Sequence, residues 1–160
     1  MADSIKKYTP QQAKQKIYRY CAYQERSHKE VRDKLYSYGL RTSDVEEILT
    51  ELITDGFLSE ERFARAYAGG KFRMKGWGRI KIQRALEAKG VSTYCIKSGL
   101  KEIEKNEYEE KLESLLEKRC SQLEETNVFS QRDKLATFAI QKGYEPDLVW
   151  TKVKALLPDK

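Results

Sequence analysis

The sequence predicts an all-α protein of three tandem three-helix repeats in an elongated, curved, solenoid-like arrangement. Three observations carry that expectation. First, the segments 29–39, 80–90 and 133–143 each close on a glycine, and Gly39, Gly90 and Gly143 stand 51 and 53 residues apart. Second, eight residues before each glycine sits Val31, Ile82 or Leu135, and four before it Leu35, Leu86 or Ala139, a spacing that lines one helix face. An apolar residue follows each glycine (Leu40, Val91, Tyr144), as happens when a left-handed glycine turns the chain back onto the helix it ends. Third, only three prolines and nine glycines interrupt 160 residues, and no segment shows the strict alternation of a strand. A period near fifty residues describes units too small to bury their own apolar faces alone.

The elements follow in order. The first repeat, residues 1–56, predicts helices over 10–24, 27–38 and 42–54. Ser27 with Glu30 three positions on fits a capping box, and Thr42 or Ser43 suits the start of the third helix. The second repeat, residues 57–105, predicts helices over 59–73, 77–89 and 92–104. Its first helix opens on Ser59 with Glu60 and Glu61 at the positive end of the helix dipole. The third repeat, residues 106–160, predicts helices over 107–123, 130–142 and 146–157, with 124–129 as a connector. Residues 102–125 hold nine Glu against four Lys or Arg and read as a solvated acidic spacer. Trp150, near Leu148 and Val153, reads as core.

Composition excludes several classes. Cys21, Cys95 and Cys120 are odd in number and far apart, and His28 is the one histidine. Neither a C-x-x-C pair nor a zinc site of the usual spacing exists, so no metal or cofactor is expected and the cysteines read as buried thiols in a reducing cytoplasm. No apolar run approaches the ~18 residues that cross a bilayer. Residues 1–8 carry Lys6 and Lys7 with no apolar run after them, so no secretory signal is expected. A soluble, cytoplasmic monomer is the expectation.

Charge is placed unevenly. Residues 62–101 contain eleven Lys or Arg and a single acid, Glu87, whereas the whole chain has thirty-one basic and twenty-five acidic residues. The remainder is therefore net acidic. A one-sign field of this kind attracts polyanions without specifying a fold. The candidate binding residues are Arg62, Arg65, Lys71, Arg73, Lys75, Arg79, Lys81, Arg84 and Lys89. Arg79 sits in a first helical turn, where a cation opposes the dipole, a placement that points to negative charge supplied by a partner. Trp77 could stack on a nucleobase or plug the start of a helix.

Catalysis finds little support. Any nucleophile would need His28 as its base, and His28 reads as an exposed first-turn residue. Gly76-Trp77-Gly78 lacks the remainder of a phosphate loop and reads as a turn between helices. Residues 83–96 have the rhythm of a helix-turn-helix with a recognition helix over 92–104, but that rhythm recurs at Gly39 and Gly143 and belongs to the repeat. A binding protein, not an enzyme, is expected.

Several motifs together resemble the RecX regulatory proteins of bacteria. They are Ser27-His28-Lys29-Glu30-Val31-Arg32-Asp33-Lys34-Leu35, Gly56-Phe57-Leu58-Ser59-Glu60-Glu61-Arg62-Phe63-Ala64, Gly76-Trp77-Gly78-Arg79-Ile80-Lys81-Ile82, the run over 86–91, and the segment from Phe129 to Tyr144. The resemblance is weakest before Tyr18 and across 102–128. Two departures stand out. The family often has Pro where this chain has Arg79, and an Asp pair where it has Ser59-Glu60-Glu61. The resemblance implies tandem three-helix repeats and a modulator of the RecA recombinase. Such a protein docks in the groove of the RecA–single-stranded DNA filament, bridges RecA subunits and mostly inhibits ATP hydrolysis, strand exchange and co-protease activity. The alternative is a free nucleic-acid-binding protein that uses the basic central repeat.

Overall fold

The computed structural model describes residues 7–159. Among them lie nine α-helices and no strand: α1 (Pro10–Tyr23), α2 (His28–Ser37), α3 (Thr42–Thr54), α4 (Glu60–Lys75), α5 (Arg79–Ala88), α6 (Thr93–Leu100), α7 (Lys105–Gln122), α8 (Val128–Gln141) and α9 (Pro146–Leu156). The all-α repeat reading holds.

The repeat glycines end their helices as their spacing predicts. Gly39, Gly90 and Gly143 all have positive φ. After α5, Gly90 N donates to Glu87 O (2.9 Å) and Val91 N to Leu86 O (3.1 Å); after α8, Gly143 N donates to Ile140 O (2.9 Å) and Tyr144 N to Ala139 O (3.2 Å). Both are Schellman ends that satisfy carbonyls the helix leaves open.

Helix starts depart more. Ser27 Oγ accepts from Glu30 N at 3.1 Å and Ser59 Oγ from Arg62 N at 3.2 Å, as expected. Only the serine half of the Ser27–Glu30 capping box forms, and the reciprocal box is Thr9 with Gln12 at the start of α1. The cap of α3 is Arg41, which makes no side-chain cap bond, and Thr42 falls inside the helix. Helix α8 begins earlier than predicted because Asn127 Oδ1 accepts from Phe129 N (2.9 Å) and Ser130 N (3.2 Å). Helix α6 stops at Leu100, four residues short, where the chain turns to bury Ile103. Glu104 then caps α7 with bonds from Asn106 N and Glu107 N, which hold its carboxyl below the usual range.

The chain forms two compact units. One contains residues up to Ala66 with Leu86–Ser98; the other contains Tyr67–Ala85 with residues from Gly99 on. Residues of the central segment are thus shared between them. In the first unit α1, α2 and α3 pack on one another. They contribute Ala13, Ile17 and Cys21 from α1, Val31 and Leu35 from α2, and Val45, Ile48, Leu49 and Leu52 from α3. In the second unit α7, α8 and α9 pack together.

Three expectations need correction here. The acidic segment is no spacer: α7 buries Tyr108, Leu112 and Leu116 at four-residue spacing, and its glutamates simply occupy the other faces. Trp150 is half-buried, and the core residues of α9 are Val149 and Val153. Of the three free thiols only Cys21 is buried, and burial pushes it up to about 11; Cys95 and Cys120 are half-buried.

Candidate functional site

The central basic segment is organised around the Gly76-Trp77-Gly78 turn. Its role is wider than a connection. A Cβ on Gly78 would lie 2.3 Å from the carbonyl carbon of Gly143, and one on Gly143 would lie 2.4 Å from Lys81 Cβ. With no side chain on either, the two backbones meet: Gly78 N donates to Lys142 O (2.8 Å) and Ile80 N to Gly143 O (2.9 Å). Arg79 N donates to the Tyr108 hydroxyl at 3.0 Å. The open N–H groups that begin any helix are met, for α5, by the turn after α8 and by α7. The repeat glycine of the third segment therefore also seats the turn that carries Trp77.

Arg79 already has an internal counter-charge. Its guanidinium lies 3.8 Å from the Tyr108 ring centroid and 3.4 Å from a Glu145 carboxylate oxygen. Glu145 supplies the negative charge that the start of α5 favours and also accepts from the Tyr108 hydroxyl. Burial first, and then that bond, raise the Tyr108 hydroxyl far above its ordinary value. Tyr108 itself lies between Phe72 (5.8 Å) and Tyr144 (4.9 Å).

The nine sequence-nominated bases divide between the units. In the first, Arg62 bonds Glu25 (3.0 Å) and Gly56 O (2.8 Å), Arg65 bonds Glu61 (2.8 Å) and Ser98 (3.2 Å), and Lys89 lies 3.8 Å from Glu30. In the second, Arg73 lies 3.9 Å from Glu102 and 3.8 Å from Glu107, and Arg79 is paired as described. Lys71, Lys75, Lys81 and Arg84 have no carboxylate at ion-pair distance among the described residues. Lys71 and Lys81 instead place their ammonium groups 5.0 and 4.5 Å from the half-buried Trp77 ring, which attracts cations electrostatically. Trp77 is a shelf between two lysines.

Two further bases join them that charge counting along the chain did not nominate. Lys142 Nζ donates to Lys75 O at 3.0 Å. Its pKa is lowered, first by burial and then by the nearby charges of Lys81 and Lys111. The result is a lysine cluster (Lys71, Lys81, Lys111 and Lys142) drawn from α4, α5, α7 and the end of α8. Cations gathered without a carboxylate at ion-pair distance among the described residues make a local field that favours an anion. Lys111 and Lys142 lie outside the basic window and reach it only through the fold, so no window of sequence could reveal them.

Other candidates separate cleanly. His28 is half-buried rather than exposed, with Nδ1 3.7 Å from Glu60. No group of three His, Cys, Asp or Glu among the described residues could hold a metal, and none of the described helices is long and apolar enough to cross a membrane.

Known proteins match this arrangement along the chain. The profile described as "RecX, first three-helix domain" matches residues 13–52, the second domain's profile residues 59–100 and the third domain's residues 106–153. The chain belongs to the RecX family. It is 30% identical over 133 residues to the regulatory protein RecX of Clostridium perfringens (strain 13 / Type A), covering 82% of this chain and 62% of that protein. It is 25% identical over 141 residues to the RecX of Bacillus mycoides (strain KBAB4), covering 88% of this chain and 52% of that one. The chain thus spans between half and two thirds of the curated relatives it matches. Two RecX crystal structures share the fold. The one from Lactobacillus salivarius has a TM-score of 0.84 at 23% identity, covering 92% of this chain and 96% of that one. The other has a TM-score of 0.81 at 20% identity, covering 91% and 71%. A proline at position 79 could not donate the N–H that Tyr108 accepts.

Proposed function

We propose that this chain is a regulatory, non-catalytic protein of the cytoplasm that acts as a monomer on the RecA–single-stranded DNA filament. Its three repeats, taken as residues 1–56, 57–105 and 106–160, restrain ATP hydrolysis, strand exchange and co-protease activity. The observation that carries this reading is the lysine cluster around Trp77, which has no carboxylate partner, set in a chain whose relatives are named regulatory proteins. A filament groove presents phosphates and acidic side chains, the counter-charge that Lys71, Lys81, Lys111 and Lys142 lack. Lys75 and Arg84 extend the same face. Arg62, Arg65, Arg73, Arg79 and Lys89 first serve internal pairs and contribute a background field.

The test is RecA ATPase on single-stranded DNA, titrated with the purified chain. Inhibition is expected, and the double reversal Lys81→Glu/Arg84→Glu is expected to weaken it with helicity by circular dichroism unchanged. Inhibition equal to that of the parent chain would remove the reading. Free nucleic-acid binding is distinguished by salt: on bare DNA, log affinity falls against log salt with a slope of about −0.7 to −0.9 per neutralised phosphate. Tight binding to bare DNA at physiological salt that Lys71→Glu/Lys81→Glu abolishes favours that alternative. Loss of inhibition in Lys71→Glu/Lys81→Glu with affinity for bare DNA unchanged favours the filament.

A further inference from the structure

We propose that the first compact unit carries its own binding site for single-stranded nucleic acid, separate from the lysine cluster and independent of the filament reading. The site is an open groove of about 470 Å³ lined by four tyrosines, Tyr8, Tyr20, Tyr23 and Tyr38, and four bases, Lys16, Arg19, Arg26 and Lys34, with no acid among its walls. It follows from local pattern. Positions 16, 19, 20 and 23 share one face of α1, beside the buried stripe of Ala13, Ile17 and Cys21.

The platform is ordered. The Tyr8 and Tyr38 rings meet edge to face at 5.4 Å, and Tyr8 N donates to Tyr38 O at 2.9 Å. The Arg26 guanidinium lies 3.7 Å from the Tyr20 ring centroid, fixed there by a bond from its Nε to Tyr20 O (3.0 Å). Lys34 sits 5.5 Å from Tyr20 and 6.0 Å from Tyr38, and Lys16 sits 4.8 Å from Tyr8. Tyr23 is 83% exposed, a large aromatic face with no packing duty. The nearby acids look elsewhere: Asp33 pairs with Lys29 at 3.1 Å and Glu30 lies 3.8 Å from Lys89.

One exposed aromatic face, Tyr23, beside half-buried tyrosines and a row of cations describes the chemistry of an unpaired base on a phosphate backbone. Tyr23 and the outer face of the Arg26 guanidinium offer stacking planes, while Arg19, Lys16 and Lys34 meet phosphates. A paired duplex hides its base faces, and an acidic peptide would leave Tyr23 unused, so the single strand fits the whole groove.

Fluorescence anisotropy of a labelled twenty-nucleotide oligothymidylate with the full chain tests this across salt concentrations. Tyr23→Ala is expected to weaken binding about tenfold, the scale of one lost base stack. Arg19→Glu/Lys34→Glu is expected to flatten the log–log salt slope by about 0.7 for each phosphate contact removed. Affinity for a duplex of equal length should not change on Tyr23→Ala. The Tyr23 dependence should persist in a Lys71→Glu/Lys81→Glu background, which keeps this site distinct from the central cluster. All these side chains reach the surface, and unchanged far-ultraviolet circular dichroism confirms folding. Parental affinity in Tyr23→Ala together with a parental slope in the Arg19/Lys34 pair would overturn the proposal. So would Tyr23-dependent capture of polyglutamate in preference to the oligonucleotide.

Discussion

At the scale of single residues, much depends on side chains that are absent. Gly90 and Gly143 end equivalent helices with the same Schellman bonds, yet their surroundings differ. Nothing lies within 4 Å of a Cβ built on Gly90, whereas one on Gly143 meets Lys81 N at 2.7 Å as well as Lys81 Cβ. Gly90→Ala should therefore cost only the left-handed backbone penalty of about 1–2 kcal/mol. Gly143→Ala adds overpacking against α5 and should cost about 2–5 kcal/mol in urea unfolding. Equal costs at the two positions would show that the Gly78–Gly143 contact does not hold in solution. The repeat pattern revealed that both positions want glycine, but not that one has a second role, because the backbone it meets is more than sixty residues away in the chain.

At the scale of elements, the helices were legible and their partners were not. Apolar spacing, N-cap residues and terminal glycines locate most of the helices, since these signals are local. Helix α5 begins at Arg79, two residues past the expected start, because its cap is made by Lys142 O, Gly143 O and the Tyr108 hydroxyl, none of which is near it in sequence. The internal partner of Arg79 is hidden from the sequence for the same reason: Glu145 is sixty-six positions on. In α7 the acidic composition masks the stripe of Tyr108, Leu112 and Leu116. Truncating that stripe gives the check. Leu112→Ala should destabilise by about 2–5 kcal/mol, while Glu110→Ala on the exposed side should stay within about 0.5 kcal/mol. Chemical denaturation of the two variants measures both, and a tolerated Leu112→Ala would return α7 to the status of a spacer.

At the scale of the whole molecule, the basic excess is divided by use. Counting residues treats nine central bases alike, but pairing separates those with internal carboxylates from those without. Arg62, Arg65 and Lys89 belong to the first unit and hold Glu25, Glu61 and Glu30; such part-exposed pairs contribute only about 0–1 kcal/mol each. Lys71, Lys81 and Lys142 belong to the second unit, where burial first, and then the charges of Lys81 and Lys111, lower the pKa of Lys142. Because that pKa is lowered by folding, the folded state binds the proton less well than the unfolded chain does. Removing the charge therefore relieves the fold rather than weakening it. Two triple variants follow. Arg62→Ala/Arg65→Ala/Lys89→Ala should leave RecA ATPase inhibition near the parental level. Lys71→Ala/Lys81→Ala/Lys142→Ala should raise the concentration for half-inhibition by roughly tenfold or more, as truncation of a cluster of interface hot spots does, without loss of thermal stability. Equal losses in the two triples would mean that total charge, and not the unpartnered cluster, sets the interaction.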